Sequence, residues 1–218
     1  MNIRYYIHQL CKYVYPAYCS YCKLFLESEN DILCTDCLQK IQPVVSYPLK
    51  ITDSYDVTVF SIGVYKDPLK HLVLSKHGRD RLAARDLGHL LWKLSDLKNI
   101  SFDYIIPMPL HWSRYAFRWY NQSEEMAKVI SQYSQKPIVA ILKKNKKTVF
   151  QTGLSKEERM YNVKNVFAIN GDVEKYKNST VLLLDDVLTT GATITSAVKA
   201  LRLLNPKKII VAVGCRVI

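Results

Sequence analysis

The 218 residues predict an α/β fold: a mostly parallel sheet flanked by helices, preceded by a small four-cysteine module. Three observations carry this. Strand-like apolar runs alternate with amphipathic helical stretches over most of the chain. Several runs, such as "TVLLLDD" (180–186) and "KKIIVAVGC" (207–215), are apolar without alternation, as in strands covered on both faces. Two Cys-x-x-Cys pairs stand close together near the N-terminus.

The first stretch, "MNIRYYIHQLCKYVYPAY", places Ile3, Ile7, Leu10 and Val14 at helical spacing. It predicts a short amphipathic helix that packs on the body of the protein. It lacks the unbroken apolar run and small-residue cleavage site of a signal peptide. Nor does any apolar run approach the roughly 20 residues that span a bilayer. The cysteines of "CSYC" (Cys19, Cys22) and "CTDC" (Cys34, Cys37) are separated by eleven residues. Each pair can turn two thiolates onto one ion, and two pairs complete a tetrahedron, so a structural Zn²⁺ is expected. Four thiolates leave no open coordination position, so this metal folds a segment too short to build a core of its own. Cys11 and Cys215 fall outside the pattern and are expected as buried free thiols.

"QKIQPVVSYP" (39–48) holds two prolines and reads as a linker. Residues 1–48 thus form the N-terminal helix and metal module, and residues 49–218 the α/β domain. Tyr55–Tyr65 is β-branched and aromatic and predicts a strand. Apolar residues at helical intervals follow through Leu94, with Gly78 dividing two helices. "FDYIIPMPL" (102–110) is a short strand ending in two prolines. Asn121 with Glu124 three residues on marks a capped helix start, as do Ser155 and Glu158. "PIVAILKK" (137–144), "TVLLLDD" and "KKIIVAVGC" are strands, and "GATITSAVKALRLL" (191–204) is a helix stopped by Asn205 and Pro206.

The formal net charge is +12, unevenly spread. Residues 1–60 carry five Lys/Arg against six Asp/Glu, and residues 61–218 carry 26 against 13. A basic C-terminal part favours an anionic partner, nucleic acid or a phosphorylated ligand. His-Glu-x-x-His, Gly-x-Ser-x-Gly and Walker A patterns are all missing, which argues against metalloprotease, serine hydrolase and P-loop chemistry.

The stretch "VLLLDDVLTTGAT" (181–193) is the most informative. In an open α/β sheet, ligands sit outside the carboxyl ends of the strands. Asp185 and Asp186 stand at such an end, and a helix begins near Gly191–Thr193. Free N–H groups at that helix start, with the hydroxyls of Thr189, Thr190 and Thr193, suit a phosphate monoester. The acids would repel that phosphate, but can accept hydrogen bonds from a neutral diol or hold Mg²⁺. Phosphate, diol and magnesium together describe a ribose 5-phosphate group.

This stretch resembles the 5-phosphoribosyl 1-pyrophosphate (PRPP) motif of type I phosphoribosyltransferases. The resemblance implies that Asp185 and Asp186 contact ribose hydroxyls. It gives the 5-phosphate to Thr189, Thr190, Gly191, Ala192 and Thr193. Taken with the cysteine module, "YKDPLKHLVLSKHG", "PMPLHWSRYAFRWYNQSEEMA" and "QTGLSKEERMYNVKNVF", the order of motifs resembles the ComF (ComFC) family of competence proteins. Membership implies a phosphoribosyltransferase-like fold binding PRPP with Mg²⁺, and a cytoplasmic role in natural transformation. The partners implied are imported single-stranded DNA and other competence proteins.

By the same resemblance, Pro107, Met108, Pro109, Leu110 and His111 approach the pyrophosphate. Arg114 and Arg118 are interleaved with Trp112, Tyr115, Phe117, Trp119 and Tyr120. Cations that neutralise phosphates beside aromatic faces that stack on bases suit single-stranded DNA. Lys143, Lys144, Lys146 and Lys147 form a second basic cluster for a DNA backbone. Two readings stand together: a DNA-handling protein that binds PRPP, and an active phosphoribosyltransferase acting on a nitrogen acceptor.

Overall fold

The computed structural model describes residues 16–75, 81–110, 120–144 and 166–218. The expected N-terminal helix, the break at Gly78 and the capped start at Ser155 lie outside these residues. A five-stranded sheet in the order β1-β2-β7-β6-β3 organises the rest. Its strands are β1 (Tyr47–Thr52), β2 (Tyr55–Val64), β3 (Tyr104–Pro107), β6 (Thr180–Leu188) and β7 (Lys208–Arg216). All neighbours are parallel except β1 with β2. The sheet is thus the mostly parallel one that the continuous apolar runs predict.

Residues of β6 alternate between two cores. Leu182 and Leu184 face one, Val181 and Leu183 the other, and all four are fully buried. Helices α2 (Leu69–Leu74), α3 (Arg81–Leu94) and α4 (Gln122–Ser134) build the first core. On the second face lie α5 (Ala192–Leu201) and a two-stranded ribbon of β4 (Leu142–Lys144) with β5 (Phe167–Ile169). Each face therefore buries its own apolar set, which is why neither strand nor helix alternation breaks the runs.

The cysteine module packs into the first core. Cys19, Leu26, Leu33 and Cys37 are buried together with Leu69, Leu72 and Leu87. Ser20 Oγ donates to Asp86 Oδ2 at 2.6 Å, and Lys93 Nζ donates to the Asn30 carbonyl at 2.8 Å. A short helix α1 (Thr35–Gln39) closes the module.

The stretch read as a linker is partly strand. Pro43 bridges Gly63 in the same antiparallel register that pairs Tyr47 with Val59. Val64 N donates to the Gln42 carbonyl at 2.9 Å. The segment thus runs along β2 before β1 begins. Its prolines hid this. They suppress strand propensity, yet among the described residues β1 is the edge strand of its sheet, where a missing N–H on the unpaired side costs nothing. The ribbon strand β5 was also not anticipated, because three residues carry no readable period. Of "PIVAILKK", only Leu142–Lys144 is ladder, with Ile138 making a lone bridge to Ile105.

β6 and β7 crowd each other at one point. A Cβ on Gly214 would lie 2.8 Å from the Asp186 carbonyl oxygen and 3.5 Å from Leu87. Only glycine leaves room for that carbonyl. Gly214→Ala should therefore lower the unfolding free energy by about 1–3 kcal/mol, through a forced shift in packed backbone. Leu203→Ala, at a side chain 67% exposed, should change it by less than about 0.5 kcal/mol. Denaturant melts of the two variants check the contrast.

Candidate functional site

The first candidate centre is the cysteine module. Cys19 opens a tight turn in which its N–H donates to the Leu24 carbonyl and Lys23 takes a left-handed conformation. Tyr18 and Phe25 bridge across the turn's base. Cys34 precedes α1 and Cys37 lies on its first turn, so the second pair shares one helix start. The four sulfurs lie within 4.8 Å of one another, and the Cys22 and Cys34 Sγ atoms are 3.6 Å apart. A tetrahedral Zn²⁺ with about 2.3 Å bonds needs sulfurs about 3.8 Å apart. The cluster fits such an ion.

The electrostatics agree with a cation site. Burial opposes the Cys19 thiolate, but backbone hydrogen bonds from Cys34, Cys22 and Tyr21 outweigh it and bring the thiol down to about 6. Burial, then hydrogen bonds with Cys34, Cys22 and Cys19, pushes Cys37 up. Four thiols this close cannot all ionise unless a cation sits among them.

The second centre is the carboxyl end of β6. Asp185 and Asp186 are half-buried, directly after the sealed run of Val181–Leu184. Asp185 Oδ1 accepts from its neighbour's backbone, Asp186 N, at 2.9 Å, and from Ser123 Oγ at 3.1 Å. Ser123 sits at the second position of α4, where Asn121 caps the helix by accepting from Ser123 N at 3.1 Å. Asn121 Nδ2 donates in turn to the Met108 carbonyl at 2.9 Å and to Glu124 Oε1 at 3.3 Å. Asn121 and Ser123 are each 3% exposed. This buried chain of hydrogen bonds fixes one carboxylate oxygen of Asp185 and ties Met108 to it.

The turn follows. Thr189, Thr190, Ala192 and Thr193 are exposed, while Gly191 is buried. Gly191 precedes α5 with φ +76°, and among the described residues no side chain caps the helix start. A Cβ there would press on the end of the Leu49 side chain at 3.3 Å, and the left-handed backbone is what favours glycine. The first N–H groups of α5 and three threonine hydroxyls thus stand beside the acid pair. Such a start is suited to an anion, and the acids to hydroxyls or a cation.

The expected site residues separate into three groups. Asp185, Asp186, Thr189–Thr193 and the segment Pro107–Leu110 come together at one end of the sheet. Met108 N donates to the Leu184 carbonyl at 2.8 Å, so this segment runs beside the acid pair. Lys143 and Lys144 lie on the separate β4–β5 ribbon, with Lys144 Nζ 5.6 Å from the Phe167 ring centroid. His111, Arg114, Arg118, Trp119, Lys146 and Lys147 lie outside the described residues. Sequence reasoning missed Ser123 as a partner of Asp185. The capping pattern at Asn121 was legible, but nothing marks a contact 62 residues away.

Comparisons with known proteins identify the family. A family model described as the phosphoribosyl transferase domain matches residues 120–217. Competence protein F of Haemophilus influenzae is 31% identical over 217 residues, covering 88% of this chain and 93% of that protein. Among solved structures, an allosteric regulatory enzyme of purine biosynthesis aligns at TM-score 0.39 and 18% identity, over 63% of this chain and 25% of its own. The glutamine phosphoribosylpyrophosphate amidotransferase of B. subtilis, complexed with ADP and GMP, gives the same score and identity, with 26% of its length covered. A hypoxanthine phosphoribosyltransferase from Staphylococcus aureus aligns at 0.32 and 16% identity, over 63% of this chain and 62% of its own. This chain spans about a quarter of the first two. By its near full-length match, the chain belongs to the Competence protein F family, with a phosphoribosyltransferase-like domain behind a four-cysteine module.

Proposed function

We propose that this protein acts in DNA uptake during natural transformation, handling imported single-stranded DNA in the cytoplasm, and that it binds PRPP with Mg²⁺ at the carboxyl end of β6. One observation carries the ligand reading: a positioned acid pair stands beside an uncapped helix start lined with threonines. Asp185 and Asp186 accept from the ribose hydroxyls. Thr189, Thr190, Gly191, Ala192 and Thr193 hold the 5-phosphate, and Pro107–His111 face the pyrophosphate. Mg²⁺ supplies charge neutralisation at the pyrophosphate. Residues 1–48 serve as the metal-clamped module and residues 49–218 as the ligand-binding domain, with Zn²⁺ at Cys19, Cys22, Cys34 and Cys37 in a structural role.

The DNA reading is supported by kinship with Competence protein F and by the basic surplus of residues 61–218. Arg114, Arg118 and Trp119 offer charge and stacking, and Lys143, Lys144, Lys146 and Lys147 offer charge alone. No helix among the described residues is long and apolar enough to cross a membrane. A second reading rests on the same acid pair and loop: transfer of the phosphoribosyl group. A nitrogen nucleophile forms a bond to C1 of the ribose while the C1–O bond breaks, and pyrophosphate leaves with the electron pair. The nitrogen gives up its proton to solvent, basic residues would neutralise the pyrophosphate's charge, and a bound Mg²⁺ would add to that neutralisation.

Three outcomes follow from this reading. Asp185→Asn and Asp186→Asn should each weaken PRPP–Mg²⁺ binding by about tenfold or more, and Ser123→Ala by about threefold, in calorimetric titrations. No PRPP binding by the wild type would sink the ligand reading. Single-stranded oligonucleotides should bind regardless of sequence, with affinity falling steeply between about 50 and 200 mM salt. A flat salt response would argue against DNA, and pyrophosphate release across a panel of bases would establish the transferase. Finally, elemental analysis should give one zinc per chain. Cys37→Ser should lose it and melt earlier than the wild type, by an amount that chelation of the wild type reproduces.

A further inference from the structure

We infer that Arg216 is an anion-binding residue of the sugar-phosphate site, held in place by Tyr47 and selective for the phosphate end of the ligand. The inference rests on the reading of the Thr189–Thr193 turn as a phosphate loop. Arg216 is the last residue of β7, and its backbone pairs with Leu188, the residue directly before that turn. The next residue locks the pairing, since Val217 N donates to the Leu188 carbonyl at 2.9 Å.

The guanidinium carbon lies 3.9 Å from the Tyr47 ring centroid, which is close stacking. Tyr47 is two residues from Leu49 on β1, and both pack against the core face that carries α5. Leu49 is the residue that a side chain on Gly191 would strike. Arg216, Tyr47, Leu49 and Gly191 therefore form a continuous wall on one side of the turn. The cation is placed on the same sheet face as the helix start.

Its electrostatic position is unusual. Arg216 is only partly exposed, and no carboxylate pairs with it among the described residues. The Tyr47 hydroxyl is buried with no hydrogen-bond partner among them either. Burial raises the Tyr47 phenol's pKa, and the neighbouring guanidinium opposes that rise. A half-buried guanidinium stacked on an aromatic ring has lost water on one face, and no described carboxylate gives it a counter-charge. Arg216's backbone partner Leu188 is four residues before the first residue of α5, whose N-terminus is the helix's positive end. Both features are costly alone and are relieved by the same event, the arrival of an anion. A phosphate dianion suits this best, because a guanidinium presents paired N–H groups that match two phosphate oxygens.

A second stacked arginine supplies the control. Arg202 lies 4.6 Å from the Tyr55 ring centroid. It is exposed and follows the C-terminal end of α5, away from the turn. The test is titration of the full-length chain with ribose 5-phosphate at about pH 7.5 and about pH 5.5, either side of the phosphate's second ionisation at about 6. Arg216→Gln should weaken binding by about tenfold or more at the higher pH. It should also shrink the gain in affinity between the two pH values, which loss of packing alone would not do. Arg216→Lys should recover part of the loss, and Arg202→Gln should bind as the wild type does.

Should Arg216→Gln fail to fold, Arg216→Lys and Tyr47→Leu carry the test, with a several-fold loss expected in each. Wild-type affinity in a folded Arg216→Gln, or in both replacements, overturns the inference. Failure of the wild type to bind either ribose 5-phosphate or PRPP overturns the phosphate-loop reading beneath it.

Discussion

A strand sealed on both faces can show polar groups only at its ends, and β6 is such a strand. From Val181 to Leu184 every side chain is fully buried, alternately against helices α3 and α4 and against α5. A carboxylate anywhere in that run would lose its water without gaining a partner. Two adjacent aspartates become tolerable only where the covering layers stop. The parallel order of β2, β7, β6 and β3 brings several strand ends to the same edge. The acid pair, the Met108 segment, the capped start of α4 and the turn into α5 meet there because the sheet leaves them no other exit.

The neighbouring strands then refine what the edge presents. The Asp186 carbonyl leans toward Gly214, and the Asp185 carboxylate is held by its own backbone neighbour and by Ser123. One acid is thus anchored through its side chain, and Gly214 leaves room for the carbonyl of the other. The cysteine module reaches the same region by a different route. Its connection to β2 is held by the Gln42–Val64 hydrogen bond, one residue before Tyr65. A metal that folds the module would therefore also fix the chain alongside the carboxyl end of β2.

What could be read from sequence divides along the range of the interactions. The apolar runs of β6 and β7, the cap at Asn121 and the threonine–glycine turn are each written within a dozen or so neighbouring residues, and the cysteine tetrad within Cys19–Cys37. They were legible for that reason. Strand β1 was misread because Pro43 and Pro48 argue locally against a strand, and only the unoccupied edge of β2 overrides them. The Ser123–Asp185 bond and the Arg216–Tyr47 stack join residues far apart in sequence. No local pattern encodes such contacts, and they appear only when the sheet order sets the partners side by side.

The charges at this edge also constrain the ligand. Carboxylates repel an anion, while a helix start, hydroxyls and a guanidinium attract one. A molecule that spans both must carry hydroxyls or a bound cation at one end and an anion at the other. A phosphorylated sugar has that polarity, and a strand of nucleic acid, which repeats its negative charge at every residue, does not. Under the proposed function, a DNA backbone would lose at the acids much of what it gained at the turn. On that proposal, DNA and the sugar phosphate would bind different surfaces of this chain. The basic surplus of residues 61–218 would draw the first by long-range attraction, and the edge of β6 would hold the second through placed contacts.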